Sequence, residues 1–392
     1  MTKKMSLPIT SVKLDDSIKK ELSDLIDTGW LVQGPKVKEF EDLWCQFTGV
    51  KHSIAVTSCT TAMHASLTAM DIGPGDEVIV PAFTWIATAN VVEHVGAKVV
   101  FCDIDINTFN IDTLKLEKLI NENTKAIIPV HLFGLSCEIQ EILNIANKYN
   151  LKVIEDGACG FGSYYNNIHV GNFGHTGCFS FHPRKAITSG EGGMITTNDD
   201  ELAIKLRSLR DHGAEMSDLQ RHLGPKPYLL SSYEYAGYNF RMTDLQATVA
   251  IPQMHTAKEN SNNRINLSKK FNQLLDEIDW LSYPKVDERF QHGYQSYVCL
   301  FNPEKIDKNN VGKINSLRNN FMEYLQDLDI SPRPGTHAVH ALGFYKRKYN
   351  TVENDFLNAW IADQCSLGLP FYPSMNSSEF DYLANAIINY KF

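Results

Sequence analysis

Short apolar runs, each followed by a helix-patterned stretch and a turn, recur through the first half of the chain and narrow its fold more than any other feature. Ser53-Ile54-Ala55-Val56-Thr57, Glu77-Val78-Ile79-Val80, Lys98-Val99-Val100-Phe101, Ala126-Ile127-Ile128-Pro129-Val130 and Lys152-Val153-Ile154-Glu155 read as strands, with two more at 177–181 and 193–197. Helical spacing of apolar residues places helices at 61–70, 86–95 and 139–148. Strands that are apolar throughout, rather than alternating, are buried on both faces. That is the property of a mostly parallel sheet covered by helices, an α/β fold. In such sheets ligands bind beyond the C-terminal ends of the strands.

Amphipathic helices are expected at 16–26 and 37–47, before the first strand, and at 201–209 and 243–254, with Pro252 placing a kink in the last. The polar helical stretch 255–277 reads as a connection. Beyond it lies a separate small core, with a strand around Ser296-Tyr297-Val298-Cys299-Leu300 and helices at 314–328 and 380–388. The length of 392 residues exceeds what one simple core accommodates. The expected division is residues 1–254, an N-terminal segment and large domain, and residues 255–392, the connecting helix and a small C-terminal domain.

A formal net charge of -9 argues against a nucleic-acid partner, because phosphate backbones need clustered Lys and Arg. No apolar run approaches the roughly 20 residues of a membrane span, so no membrane partner is expected. Met1 to Ser6 carry charge with no apolar stretch after them, and no signal peptide is expected. The eight cysteines lie far apart, without a CxxC pair or zinc-type spacing. They read as reduced thiols of a cytoplasmic protein, and no metal site is expected.

Lys185 follows the apolar strand Cys178-Phe179-Ser180-Phe181 and precedes the Gly-rich turn Gly190-Glu191-Gly192-Gly193. An amine held at such a rim forms Schiff bases with carbonyl compounds, above all pyridoxal phosphate (PLP). The bland alternative is a surface lysine in a loop. The other parts of a PLP site are therefore decisive. Asp156 ends the strand after Glu155, where a buried carboxylate needs a partner such as a pyridinium; the alternative is a cap or structural ion pair. Thr57-Ser58-Cys59-Thr60-Thr61 joins a strand to a helix and offers hydroxyls and N–H groups to an anion; the alternative is a plain helix cap. Trp85 could cover the ring or sit in the core. Ser180 could donate to phosphate. Each is weak alone, yet together they occupy the C-terminal ends of four separate strands.

With these segments in view, the chain resembles the DegT-type sugar aminotransferases, a branch of the fold-type I PLP-dependent transferases (aspartate-aminotransferase-like), from about Trp30 to the C-terminus. Matching segments include Trp30 to Pro35, Gly73-Pro74-Gly75-Asp76-Glu77 with Val78 to Pro81, Pro129-Val130-His131-Leu132-Phe133-Gly134, Ser180 to Lys185, and Tyr238-Asn239-Phe240-Arg241-Met242-Thr243. The resemblance implies a large domain with a mostly parallel seven-stranded sheet and a small C-terminal α+β domain. It implies that Lys185 bonds PLP covalently and Asp156 pairs with the ring nitrogen. Trp85 would stack on the ring, and Thr60, Thr61 and Ser180 would bind phosphate. Asn239 would reach the phosphate of the partner subunit, in a homodimer with two shared active sites. Two positions depart from the family pattern. Cys59 replaces a usual glycine, with Thr61 where alanine is common, and Cys159 stands where a glutamine often bonds the ring hydroxyl.

The implied reaction moves an amino group from glutamate to a keto or aldehyde sugar, with Lys185 as covalent partner and general acid/base. Candidate sugar contacts are Gln33, His182, Arg333, His337 and His340. The first expectation for the acceptor is a nucleotide-linked 4-keto-6-deoxyhexose, in cell-surface polysaccharide or lipopolysaccharide sugar synthesis. Arg333, His337, His340 and the run Lys346-Arg347-Lys348 would also suit an acidic sugar such as an 8-oxo octulosonate; the alternative for the run is a solvated basic loop. A PLP-dependent sugar dehydratase would carry histidine in place of Lys185. A non-catalytic regulator lacks a basic stretch to support it.

Overall fold

In the computed structural model, residues 5–216, 223–226, 228, 230–285 and 287–391 are described; the first four, read above for a leader, lie outside this set. The alternating first half builds one seven-stranded sheet. Its strands are β1 (His52–Val56), β2 (Glu77–Pro81), β3 (Lys98–Cys102), β4 (Thr124–Ile127), β5 (Lys152–Asp156), β6 (Thr176–Ser180) and β7 (Gly193–Thr197). Their order across the sheet is β1-β7-β6-β5-β4-β2-β3. Only β7 runs against its neighbours, pairing antiparallel with both β1 and β6. β2 is buried along its whole length: Val78 to Pro81 are apolar, and Glu77 at its start pairs with Lys98.

Strand 126–130 was expected to be longer than it is. β4 ends at Ile127, and Val130 keeps only an isolated bridge to Asp156. Pro129 has no N–H with which to continue the ladder. Helices α1 (Ser17–Thr28) and α2 (Pro35–Thr48) precede β1. α3 (Cys59–Ala69) follows β1, α4 (Ala87–His94) follows β2, and α5 (Ile139–Tyr149) precedes β5. α6 (Asp200–Arg210) and α7 (Asp244–His255) follow the sheet, and α7 continues through Pro252 as one helix. α8 (Ala257–Leu275) buries Leu267, Phe271, Leu274 and Leu275 on one side, so the polar connection still carries an apolar stripe.

The second half forms a four-stranded sheet from Leu281–Ser282, Tyr297–Phe301, Ser366–Leu369 and Arg333–Pro334. The chain start closes onto this part. Leu7 donates its N–H to the Asp329 carbonyl and accepts from Ser331, each at 2.9 Å, while Phe371 donates to the Ile9 carbonyl at 3.2 Å. One apolar cluster runs from Ile54, Val78 and Ile154 to Phe271, Phe321 and Leu367 without a break.

Two further contacts frame the site. Residues Phe83–Thr84, just past β2, pair with His337–Ala338 from the second half. The buried Glu155 ties β5 to the following loop: its carboxylate accepts from the N–H groups of Gly171, Phe173 and Gly174 at 2.7–2.8 Å and contacts His131 Nε2 at 2.9 Å.

Candidate active site

Strand register brings the candidate residues together. Gly193 opens β7 and faces Val56 on one side and Ser180 on the other. Asp156, the last residue of β5, faces Cys178 of β6. The carboxyl ends of β1, β5 and β6 therefore open at one edge, where ligands of α/β sheets bind.

The turn after β1 supplies the anion cup. Ser58 caps α3 by accepting from the Thr61 N–H at 3.1 Å, and the Thr61 hydroxyl accepts from the Ser58 N–H at 3.0 Å. Thr61 Oγ1 also donates to the Ser58 carbonyl at 2.8 Å. The cap thus occupies the Thr61 hydroxyl, whereas the Thr60 hydroxyl has no hydrogen-bond partner among the described residues. The N–H groups of Cys59 and Thr60, in the first turn, lack intrahelical acceptors and sit at the positive end of the helix dipole. Gly193 leaves the room this turn needs. A Cβ there would lie 2.3–2.6 Å from Ser58 C, Ser58 O and Cys59 N.

Asp156 is 4% exposed. Its Oδ2 accepts from the Thr88 hydroxyl at 2.8 Å, and its Oδ1 from the Ala158 N–H at 3.0 Å. Cys59 Sγ approaches Oδ1 at 3.9 Å. Burial, then the Asp156 charge, push the Cys59 thiol well up, so it is a neutral, weak donor. Lys185 is half-buried, and its Nζ lies 3.2 Å from Cys159 Sγ. Burial lowers the proton affinity of this amine, but the adjoining Cys159 and the Asp156 charge outweigh it and leave the pKa above that of an ordinary lysine. Trp85 is 62% exposed, which excludes a core role, and its ring lies 5.8 Å from that of His337.

The other expected residues are less uniform in place. Ser180 closes β6 and accepts from the His182 N–H at 3.4 Å; His182 Nδ1 accepts from Arg184 N–H at 3.2 Å. Asn239 is exposed, bridges Asp211 through its backbone, and its side chain has no partner among the described residues. Arg333 is exposed at the edge of the small sheet. Gln33 lies at the entry to α2, beside Trp30, and its buried Oε1 has no partner among the described residues. His340 is not brought to this group: it is fully buried between the rings of Phe101 and Phe356. In the basic run, Lys346 pairs with Glu353 and Lys348 with Glu93. Open clefts of about 860 and 530 Å³ lie elsewhere, around Asn358 and Lys285, and none of the residues of this group lines them. The chemistry of the side chains, not cleft size, marks the site.

Sequence reasoning did not find Thr88 or the steric part of Gly193. Thr88 looks like any threonine in a first helical turn, and nothing local signals its contact with Asp156, 68 residues away.

An amine, a buried carboxylate with two strands between it and β1, a helix start with free N–H groups, an exposed aromatic face and a glycine that keeps that turn open are the parts that would fit pyridoxal phosphate. The fold is that of the fold-type I PLP-dependent transferases. The model of the DegT/DnrJ/EryC1/StrS aminotransferase family matches residues 12–388, and the chain belongs to that family. It is 36% identical over 386 residues to GDP-perosamine synthase of Caulobacter vibrioides, covering 97% of each chain. It is 35% identical over 368 residues to the spore coat polysaccharide biosynthesis protein SpsC of Bacillus subtilis, covering 94% of this chain and 92% of SpsC. Among solved structures, Helicobacter pylori PseC, an aminotransferase involved in the biosynthesis of pseudoaminic acid, superposes with a TM-score of 0.87 at 26% identity over 98% of both chains. The protein is a PLP-dependent sugar aminotransferase.

Proposed function

We propose that the enzyme transfers the amino group of L-glutamate to a nucleotide-linked 4-keto-6-deoxyhexose, for the synthesis of a cell-surface polysaccharide. The observation that carries the transaminase chemistry is the Lys185 amine, set beside Cys159 in a cup that also holds the buried Asp156. The names of two relatives support this acceptor class: one is a GDP-perosamine synthase and the other a spore coat polysaccharide biosynthesis protein. Lys346 and Lys348, whose charge would suit a diphosphate and an acidic sugar equally, pair with carboxylates of the chain itself, so the basic run favours neither acceptor.

Bound PLP supplies an aldehyde and an electron-accepting ring. The residues have separate tasks. Asp156 holds a negative charge for the ring nitrogen. Cys59 and Thr60 N–H groups, with the Thr60 and Ser180 hydroxyls, bind phosphate. Trp85 covers one ring face. Lys185 Nζ would hold the cofactor and, once displaced by the donor, would move a proton from the donor's Cα to the cofactor. His337, beside Trp85, borders the acceptor. His182, Arg333 and Gln33 are further candidate contacts. Cys159 sits against the lysine, so its thiol is placed to touch the cofactor near the bond Lys185 makes.

Asn239, exposed and unpaired, supports a homodimer in which it completes the partner's phosphate site. Exposed Leu230, Tyr233 and Tyr235 precede it and give that segment an apolar surface for a second copy. Among the described residues no helix is long and apolar enough to cross a membrane. A cytoplasmic location, and residues 1–254 and 255–392 as the two domains, remain part of this proposal.

The test follows the visible absorbance of the purified holoenzyme on adding glutamate, then a panel of keto sugars. Loss of the band with glutamate, and its return with nucleotide-linked 4-keto-6-deoxyhexoses alone, is expected. Return with an octulosonate instead overturns the acceptor assignment. Lys185→Ala is expected to lower transamination by at least about a thousandfold; normal turnover by that variant overturns the mechanism.

A further inference from the structure

We propose that Thr88 is a positioning residue, which holds Asp156 as an ionised acceptor aimed at the cofactor's ring nitrogen. The inference rests on the reading of Asp156 as the partner of that nitrogen.

A carboxylate buried to 4% exposure stays charged only if donors replace water. Asp156 has three. The Ala158 N–H at 3.0 Å and the Cys59 thiol at 3.9 Å both address Oδ1. A thiol is a weak donor, so the backbone group does most of the work on that oxygen. Oδ2 receives one hydrogen bond from the described residues, the Thr88 hydroxyl at 2.8 Å. Thr88 is itself fully buried, and no solvent stands ready to replace it.

The direction of this bond fixes that of a second one, between two hydroxyls. Thr84 Oγ1 lies 3.1 Å from Thr88 Oγ1. A hydroxyl has one proton to donate. Thr88 gives its proton to an ionised Asp156, so Thr84 must donate to Thr88. Both O–H dipoles then point at the carboxylate. Thr84 is held in turn by the backbone pairing of Phe83–Thr84 with His337–Ala338. Each oxygen of Asp156 therefore has one strong donor and keeps lone-pair capacity for a ring N–H. Thr88 acts through Asp156 and is not a catalytic residue.

The test uses the full-length chain, stripped of cofactor and reloaded with either PLP or 1-deazapyridoxal phosphate, in which C–H replaces the ring nitrogen. The readout is the ratio of the two affinities, from absorbance titrations. Wild type is expected to favour PLP, and Asp156→Asn to abolish the preference. Thr88→Val should lower it about tenfold or more, the equivalent of one hydrogen bond to a charged group. Thr88→Ser, which keeps the hydroxyl, should stay near wild type. A merely structural lesion weakens both ligands alike and leaves the ratio unchanged. If Thr88→Val does not fold, Thr88→Cys presents a weak donor of similar size and reads the same ratio. An unchanged ratio in the Thr88 variant, with the preference lost in Asp156→Asn, overturns the inference and leaves the site reading standing. An unchanged ratio in Asp156→Asn overturns both.

Discussion

Gly193 does its work by lacking a side chain. A methyl group at that position meets the backbone of Ser58 and Cys59, which cannot swing aside as a flexible side chain could. Gly193→Ala is expected to weaken PLP binding at least tenfold and to cost roughly 1–3 kcal/mol of stability through overpacking. Cofactor titration and urea unfolding check the two effects, and wild-type values in both would remove the steric argument. At this scale the sequence is uneven as a guide. Lys185 and Asp156 stood out in the sequence because each is a charged residue at or just beyond an apolar strand, where burial demands a partner. Thr88 did not, because its role depends on a partner reached only when α4 folds over β5. His340 misled for the related reason that a histidine in a polar-looking loop gives no sign of Phe101 and Phe356, which enclose it.

Between elements, Glu155 is the main polar tie. It alternates with Asp156 on β5, so the two carboxylates leave opposite faces of the strand. Asp156 faces the site, while Glu155 collects three N–H groups and His131 in a water-free pocket. Hydrogen bonds from His131 and the loop hold the Glu155 carboxyl below its ordinary pKa despite its burial. Glu155→Gln brings an amide N–H against donors and is expected to lower the unfolding free energy by about 3 kcal/mol. Chemical denaturation measures this, and a loss under about 1 kcal/mol would refute the claim. Elements themselves were readable because parallel strands buried on both faces leave apolar runs in sequence. Their ends were less so: Pro129 cut β4 short by withholding one N–H, a local fact whose effect depends on the neighbouring strand.

For the molecule as a whole, acid should be destabilising before the carboxylates protonate. His169 Nε2 accepts from the Gly162 N–H at 3.1 Å while its Nδ1 lies 2.6 Å from the Val170 carbonyl; His292 Nδ1 accepts from Tyr294 N–H at 2.8 Å. Both bonds need an uncharged ring nitrogen. Burial pushes the two imidazoles down to about 4 and about 3. Unfolded, each would titrate near 6.5. Between these values the unfolded chain binds protons that the fold refuses, so stability is full above pH 6.5 and declines as pH falls below it. Each histidine contributes a loss on the order of 2 kcal/mol by pH 5. Melting temperature should drop steadily from pH 7 to pH 5, and a flat profile would contradict it.

The clasp between Leu7 and the strand edge at Asp329 and Ser331 has a consequence for synthesis in the cell. Leu7 is fully buried in the finished protein, yet its bonding partners leave the ribosome last among those it needs. At ordinary translation speeds the opening residues wait on the order of tens of seconds for that edge to exist. Over that interval Leu7, buried in the finished protein, lacks the backbone partners that hold it there. The final closure of this enzyme is therefore timed by the ribosome rather than by the chain's own search.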